Sequence, residues 1–243
     1  FISGSPSQMR ETLEKKFELD GIEPDAFILK PTLQNILRGR FRAVRGQVGY
    51  KLDALLRMRG MSELAPETMF GDDAEQDAFI YSLYADLAAE QVSRDELIEI
   101  LEEAEVYEAT IETILNHHSS MEHRDTVQRI FIHLDRHSPP GRFWVFGPRV
   151  VPIANYFQAA LVLYDDGVLS AKGVVRVAAG MIERDDYGMV DLANSLQDLT
   201  RRRHVQVEVL DRFTEELETT DHPPAVPPEF VERLISRVRA LSP

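Results

Sequence analysis

The sequence predicts an α/β protein in which short parallel strands are covered by helices. Apolar runs too short for helices alternate with segments of helical periodicity: Phe1-Ile2-Ser3, Ala26-Phe27-Ile28-Leu29, Thr68-Met69-Phe70-Gly71 and residues 129–134. The connections between these runs are long enough for crossovers, which parallel strands require. Ser3 and Asp72 both fall at strand ends, and open α/β sheets hold ligands outside the carboxyl ends of their strands. With 44% hydrophobic residues, the 243-residue chain can fill one large domain or two small ones.

Each element has a local cause. Phe1-Ile2-Ser3 reads as the end of a strand. Ser5 then reads as a helix cap, with Pro6 at the first helical position and Gln8 completing a capping box. Met9, Leu13 and Phe17 give that helix an apolar face. Gly21 to Pro24 break it, and a short buried strand at 26–29 ends before Pro31. Residues 32–47 are Arg-rich and irregular. A helix over about 48–59 buries Leu52, Leu55 and Leu56. The strand at 68–71 follows Pro66, and a helix over about 76–89 carries Phe79, Ile80, Leu83 and Leu87 on one side.

Two acidic helices follow. The first is capped by Ser93 and Glu96, and the second carries Val106, Ile111, Ile114 and Leu115. They read as an insertion at about 93–126, ahead of a last strand at 129–134. Residues 135–147 form a loop with the only Trp, Trp144. Helices are expected over about 153–164, 170–183, 189–202, 205–219 and 228–241, with Pro223, Pro224, Pro227 and Pro228 marking a linker. The expected organisation is a core over 1–150 and a helical region over 151–243.

The formal charge of −14 argues against nucleic acid as the main partner and against simple attraction to anionic membranes, although local Arg clusters could bind an anionic head group. The chain has no Cys, so thiolate chemistry, disulfides and Cys-rich zinc sites are excluded, in agreement with a cytoplasmic setting. No apolar stretch is long enough to span a bilayer.

Three short motifs carry chemistry. Ser3-Gly4-Ser5-Pro6 ends the first strand, where a hydroxyl and backbone N–H groups favour an anion. Ser5-Pro6 also serves as a plain cap. Lys51, in Val48-Gly49-Tyr50-Lys51, opens a helix, where a cation opposes the helix dipole unless carboxylates are near. A surface lysine is the bland alternative. Gly71-Asp72-Asp73-Ala74-Glu75-Gln76-Asp77 gathers carboxylates at a strand end, which repel one another unless a cation is present. Hard oxygen ligands suit Mg²⁺, and an acidic turn capping the next helix is the alternative. The histidines at 117, 118 and 123, and at 133 and 137, have no familiar zinc spacing. His133 and His137 flank a strand end and are candidates for a substrate contact.

In order and spacing these motifs resemble motifs II, III and IV of the haloacid dehalogenase superfamily of phosphatases. Ser-x-Ser-Pro, Gly-x-Lys and Gly-Asp-Asp with a following Asp resemble one branch in particular, the catalytic-domain family of actin-patch-associated phosphatidate phosphatase. The resemblance covers about residues 1–90 and, more loosely, 129–134. It implies a three-layer Rossmann-like core and a Mg²⁺-dependent phosphatase acting through an aspartyl-phosphate. Ser3, Lys51 and Asp77 are its catalytic candidates. Ser3, Gly4, Ser5 and Lys51 would bind a phosphorylated small molecule or a lipid head group, and Asp72, Asp73 and Asp77 would serve the metal. Motif I, Asp-x-Asp-x-Thr or Ser, does not occur in the sequence. The nucleophile is therefore expected on a preceding segment, and these residues alone are expected to be inactive. The rival expectation is a non-catalytic phosphate-binding or protein-interaction module.

Overall fold

The opening strand forms because it finds a parallel partner. In the computed structural model, β1 (Ile2–Pro6) lies beside β2 (Ile28–Lys30), with Ile2 opposite Ile28 and Ser3 opposite Leu29. The structure describes residues 1–30, 47–185, 187–219 and 228–240. The Arg-rich stretch at 32–47, apart from Gln47, and the proline linker, apart from Pro228, lie outside them. The crossover between β1 and β2 is α1 (Arg10–Asp20), closed by Gly21 in a left-handed conformation at φ 67°.

The expected cap at Ser5 is corrected. The strand continues through Ser5 and Pro6, a 3-10 turn covers Ser7–Met9, and α1 starts at Arg10 without a side-chain cap. Strand pairing overrides the capping box, and the Ser5 N–H donates to Ser3 Oγ instead. No residue of α1 is fully buried. Phe17 packs against Phe1 and Phe27, with ring centroids 4.7 and 5.0 Å away.

Next come α2 (Gln47–Arg59), β3 (Glu67–Asp72), α3 (Asp77–Ala88), α4 (Arg94–Glu103) and α5 (Glu108–Ser120). The Ser93–Glu96 capping box forms at α4. The expected insertion is part of the packing: α5 lies along α2. Gly49 permits the close approach, since a Cβ there would meet Val106 Cγ1 at 2.7 Å and Thr110 Cγ2 at 3.1 Å. His117 Nδ1 meets Asp53 Oδ1 at 2.9 Å across the same helix pair.

β4 (Val127–His133) and β5 (Val150–Ile153) join β3 in a second sheet of order β3-β4-β5. The Glu67 N–H donates to the Thr126 carbonyl, and the Leu134 N–H to the Ile153 carbonyl. Strand starts and strand ends are therefore level, as in parallel pairing. β5 departs from the sequence expectation, which had β4 as the last strand and a helix from Ile153. Pro152 obscured it, because proline is tolerated in a sheet only at an edge, and β5 is the edge strand.

The chain divides into two compact units, Phe1–Ile130 and Phe131–Pro243, so the boundary falls inside β4 and not near residue 150. The second unit adds α6 (Tyr156–Asp165), α7 (Ala171–Arg184), α8 (Met189–Arg201), α9 (Val207–Thr219) and α10 (Pro228–Arg239). Phe157, Leu161, Val174, Leu196, Phe213 and Leu234 contribute to its core. Polar pins fix α6 on α8: Asn155 Nδ2 donates to Ser195 Oγ at 2.6 Å, and the fully buried Gln158 donates through Nε2 to the Ser195 carbonyl at 2.7 Å. No described helix is long and apolar enough to cross a membrane.

Within the first unit, the start of β3 is tied down by Arg59. This buried guanidinium donates to Glu67 Oε1 at 2.8 Å and to Thr126 Oγ1 at 2.8 Å. It also donates to the carbonyls of Glu122 at 3.0 Å and Arg124 at 2.7 Å. Removing it takes the donor from two carbonyls and the cation from the Glu67 carboxylate at once. Arg59→Met is expected to destabilise the chain by about 3 kcal/mol, because breaking a buried pair leaves the partner unsatisfied. Urea unfolding would read this, and a midpoint unchanged from the parent chain would show the network to be energetically idle.

Candidate functional site

The end of β1, the start of α2 and the turn after β3 meet in the first unit. Lys51 sits one turn into α2 on its buried side, with only 3% of its surface exposed. Its Nζ forms ion pairs with Asp77 Oδ1 and Glu75 Oε2. Gln47 Nε2, from the same helix, donates to Glu75 Oε1 at 2.8 Å. The conflict between Lys51 and the helix dipole is thus answered by two carboxylates.

The turn after β3 is built around Asp72. Its Oδ1 accepts the N–H groups of Ala74 at 2.8 Å and Glu75 at 3.1 Å, while its own N–H donates to Asp77 Oδ2 at 3.3 Å. Asp77 is buried at the start of α3. Gly71 is required there, because a Cβ on it would lie 2.5 Å from Asp77 Cβ. Asp73 is half-buried in the same turn. Opposite the turn, a Cβ on Gly4 would meet Glu75 Oε1 at 2.9 Å, so the end of β1 touches the acidic segment. Ser3 lies next to it in β1, its Oγ accepting from the Ser5 N–H at 3.2 Å.

The electrostatics follow from burial and proximity. Burial pulls the Lys51 ammonium down, but Asp77 and Glu75 together outweigh it and hold the group above the ordinary lysine value. Burial pushes the Asp77 carboxyl up, against the downward pull of Lys51. Lys30, buried at the end of β2, is shifted below the usual lysine range by burial, while Glu75 acts in the other direction. Tyr81 is raised by burial and by the negative charge of Asp77, Glu75 and Asp72.

Among the sequence-named residues, Gly4, Lys51, Asp72 and Asp77 come together at the 72–77 segment, and Ser3 is the neighbour of Gly4 in β1. Asp77 is engaged by Lys51. Sequence reasoning did not assign Glu75 and Lys30. Glu75 stood inside the quoted acidic motif, and Lys30 ends β2, just short of Pro31. His118 and His123 stack edge to face at 4.8 Å, with burial, and secondarily His123, lowering His118. In the second unit, His133 stacks on Tyr156 with ring centroids 5.4 Å apart.

Chemically, two ammonium groups, a hydroxyl and strand-end N–H groups can receive an anion. Asp72 suits a hard cation in donor type, and its Oδ2 is outside the turn hydrogen bonds. Among the described residues, however, no group of three or more His, Asp or Glu side chains is arranged to hold a metal ion. Asp72 fits Mg²⁺ as one ligand, with water and a further carboxylate needed to complete the shell. No family model, no curated protein and no solved structure matches this chain.

Two measurements test the geometry. Gly71→Ala should displace Asp77 and cost about 1–3 kcal/mol in urea unfolding, as overpacking does. Wild-type stability would contradict the close approach. The second is alkaline titration. Burial raises the phenols of Tyr50, Tyr81, Tyr84 and Tyr164, Tyr50 to about 12, against about 10 in an unfolded chain. Folded values above unfolded ones mean that this stabilisation is complete below about pH 10 and is lost as pH rises through the folded values. At about pH 11, phenolate absorbance of the native chain should therefore fall short of that in denaturant. Equal absorbance in a still-folded chain would overturn the assigned burial.

Proposed function

We propose that the chain carries most of the active site of a Mg²⁺-dependent phosphatase of the haloacid dehalogenase type. Its substrate class is a phosphomonoester, phosphatidate-like lipids included. The observation that carries the reading is that Gly4, next to Ser3, and Lys51 both approach the Asp72–Asp77 turn. Three motifs far apart in sequence thus lie against one carboxylate turn.

In this reading, a carboxylate oxygen of an Asp outside these residues attacks phosphorus and the ester P–O bond breaks. The leaving oxygen departs as the alcohol after taking a proton. Water then cleaves the aspartyl-phosphate to regenerate the carboxylate. Ser3 Oγ–H and the Gly4 N–H would orient the phosphoryl oxygens, while the Ser5 N–H, expected from the sequence to do the same, holds Ser3 Oγ instead. Lys51 is fixed in advance by Asp77 and Glu75, so its charge needs no reorganisation as negative charge develops. Mg²⁺, with Asp72 as a ligand and Asp73 as the alternative, would neutralise phosphoryl charge when bound.

The non-catalytic reading keeps the same anion site without turnover. It draws on two observations: the sequence has no Asp-x-Asp-x-Thr or Ser run, and no three carboxylates converge among the described residues. Both readings expect phosphate binding, and Mg²⁺ separates them.

Asp72→Asn keeps the Oδ1 acceptor that holds the turn and removes the charge. Mg²⁺ at millimolar concentration should raise the melting temperature of the parent chain and not that of Asp72→Asn. An equal rise in both would remove Asp72 as a ligand, and no rise in either would favour the module. In a protein that also carries the nucleophile, Lys51→Arg should lower kcat by about 10²-fold, the scale of losing one preorganised donor. Normal turnover in a folded Lys51→Arg enzyme would end the phosphatase reading.

A further inference from the structure

Two bulky apolar residues, adjacent in sequence, stand out from the second unit. Trp144 is 73% exposed and Val145 83%. They belong to a 3-10 turn over Pro140–Phe146, between β4 and β5. Such a turn repeats every three residues, so positions i and i+3 share an edge. Phe143 and Phe146 form the inward edge, buried and half-buried. Arg142 and Val145 share a second edge, Trp144 takes the third, and all three side chains are exposed.

The backbone fixes this presentation. The Arg142 N–H donates to the Pro139 carbonyl at 3.0 Å, and the Gly147 N–H to the Trp144 carbonyl at 3.2 Å. The Val150 N–H, at the start of β5, donates to the Gly147 carbonyl at 3.3 Å. Gly147 closes the turn at φ 82°, a value that favours glycine. Pro139, Pro140 and Pro148 restrict the chain on both sides. The two apolar side chains are therefore held outward by a hydrogen-bonded turn anchored on Phe143.

Charge and area select the occupant. Residues 136–149 contain Arg136, Arg142 and Arg149 and no Asp or Glu, within a chain of formal charge −14. Trp144 and Val145 together offer about 300 Å² of surface, whereas a stable protein interface buries about 800 Å² on each partner. A lipid bilayer needs no shaped counterpart. Its headgroup region takes up an indole, and its anionic lipids attract nearby arginines. The acidic remainder of the chain is repelled by the same surface, which confines contact to the tip.

We propose that residues 140–147 dock the chain on an anionic lipid bilayer, with Trp144 and Val145 entering the headgroup region and Arg142 meeting lipid phosphate. Binding is peripheral and reversible, because so small an apolar tip falls far short of a spanning helix. The proposal rests on the tip alone and holds with or without phosphatase activity.

Trp144 is the only Trp, so its fluorescence reports the tip directly. Vesicles of phosphatidylcholine mixed with phosphatidylglycerol should shift its emission to the blue in a saturable manner. Brominated acyl chains in the same vesicles should quench it. Vesicles of phosphatidylcholine alone should bind about tenfold more weakly, and raised salt should weaken binding to the mixed vesicles. Arg142→Glu and Val145→Asp should each weaken binding about tenfold, with circular dichroism confirming the fold. Trp144→Ser, read by co-sedimentation with vesicles, should lose binding as well and serves if either of the other variants fails to fold. Absence of a blue shift, equal binding to neutral vesicles, or unaltered binding by the folded variants would each overturn the proposal. So would a blue shift that grows with protein concentration without vesicles and accompanies a dimer on sizing, because the tip would then be covered by a second copy. Turnover is not read, so a failure here leaves the phosphatase reading to its own Mg²⁺ test.

Discussion

One helix carries two buried cations, and the first unit is organised around them. Lys51 near the start of α2 holds the segment that follows β3, through Asp77 and Glu75. Arg59 at its end holds Glu67, where β3 begins. Eight helical residues rise about 12 Å, and the five steps from Glu67 to Asp72 span about 16 Å of strand. The helix is thus close to the length of the strand it clamps. Apolar burial of Leu52 and Leu56 anchors the helix in the core. The cations supply register, since a shift of either element would leave a charge in the interior without its partner.

This arrangement explains why a site that looks like a ligand centre is also structural. Lys51 has two carboxylates against one ammonium in a largely dehydrated place. The surplus negative charge calls for another cation, and Lys30 stands nearest to that role on the Glu75 side. In the proposed function the same surplus would draw a metal ion to Asp72, so that folding and ligand chemistry would share these charges.

Much of this was legible in the sequence, for identifiable reasons. Strand and helix alternation followed from short apolar runs, and four of the five strands among the described residues lie where those runs stand. Lys51 and Asp77 could be singled out because each breaks a local preference, a cation at a helix start and an acid cluster at a strand end. The misses have equally local causes. Ser5 and Pro6 satisfy a helix cap in sequence, but pairing with β2 keeps them extended. Pro152 disguised an edge strand. Arg59 read as an ordinary basic residue near a helix end, and only the arrival of Glu67, Thr126 and two carbonyls from distant segments gives it a role. Glu75 was visible but could not be ranked among its acidic neighbours, because the choice depends on which carboxylate the helix turns towards Lys51. In the second unit, the Asn155 and Gln158 pins join positions about forty residues apart, beyond any local pattern.

The contact between Gly71 and Asp77 has a consequence for how the chain can change over generations. A side chain cannot be added at Gly71 while Asp77 remains, and Asp77 cannot be exchanged while Lys51 remains buried beside it. Lys51 in turn answers to Glu75. Substitutions at positions in direct contact do not add independently, so any path away from this set passes through intermediates with an uncompensated charge or a steric overlap. The four positions behave as a single inherited character, while the exposed surface of α1 is free to drift around it.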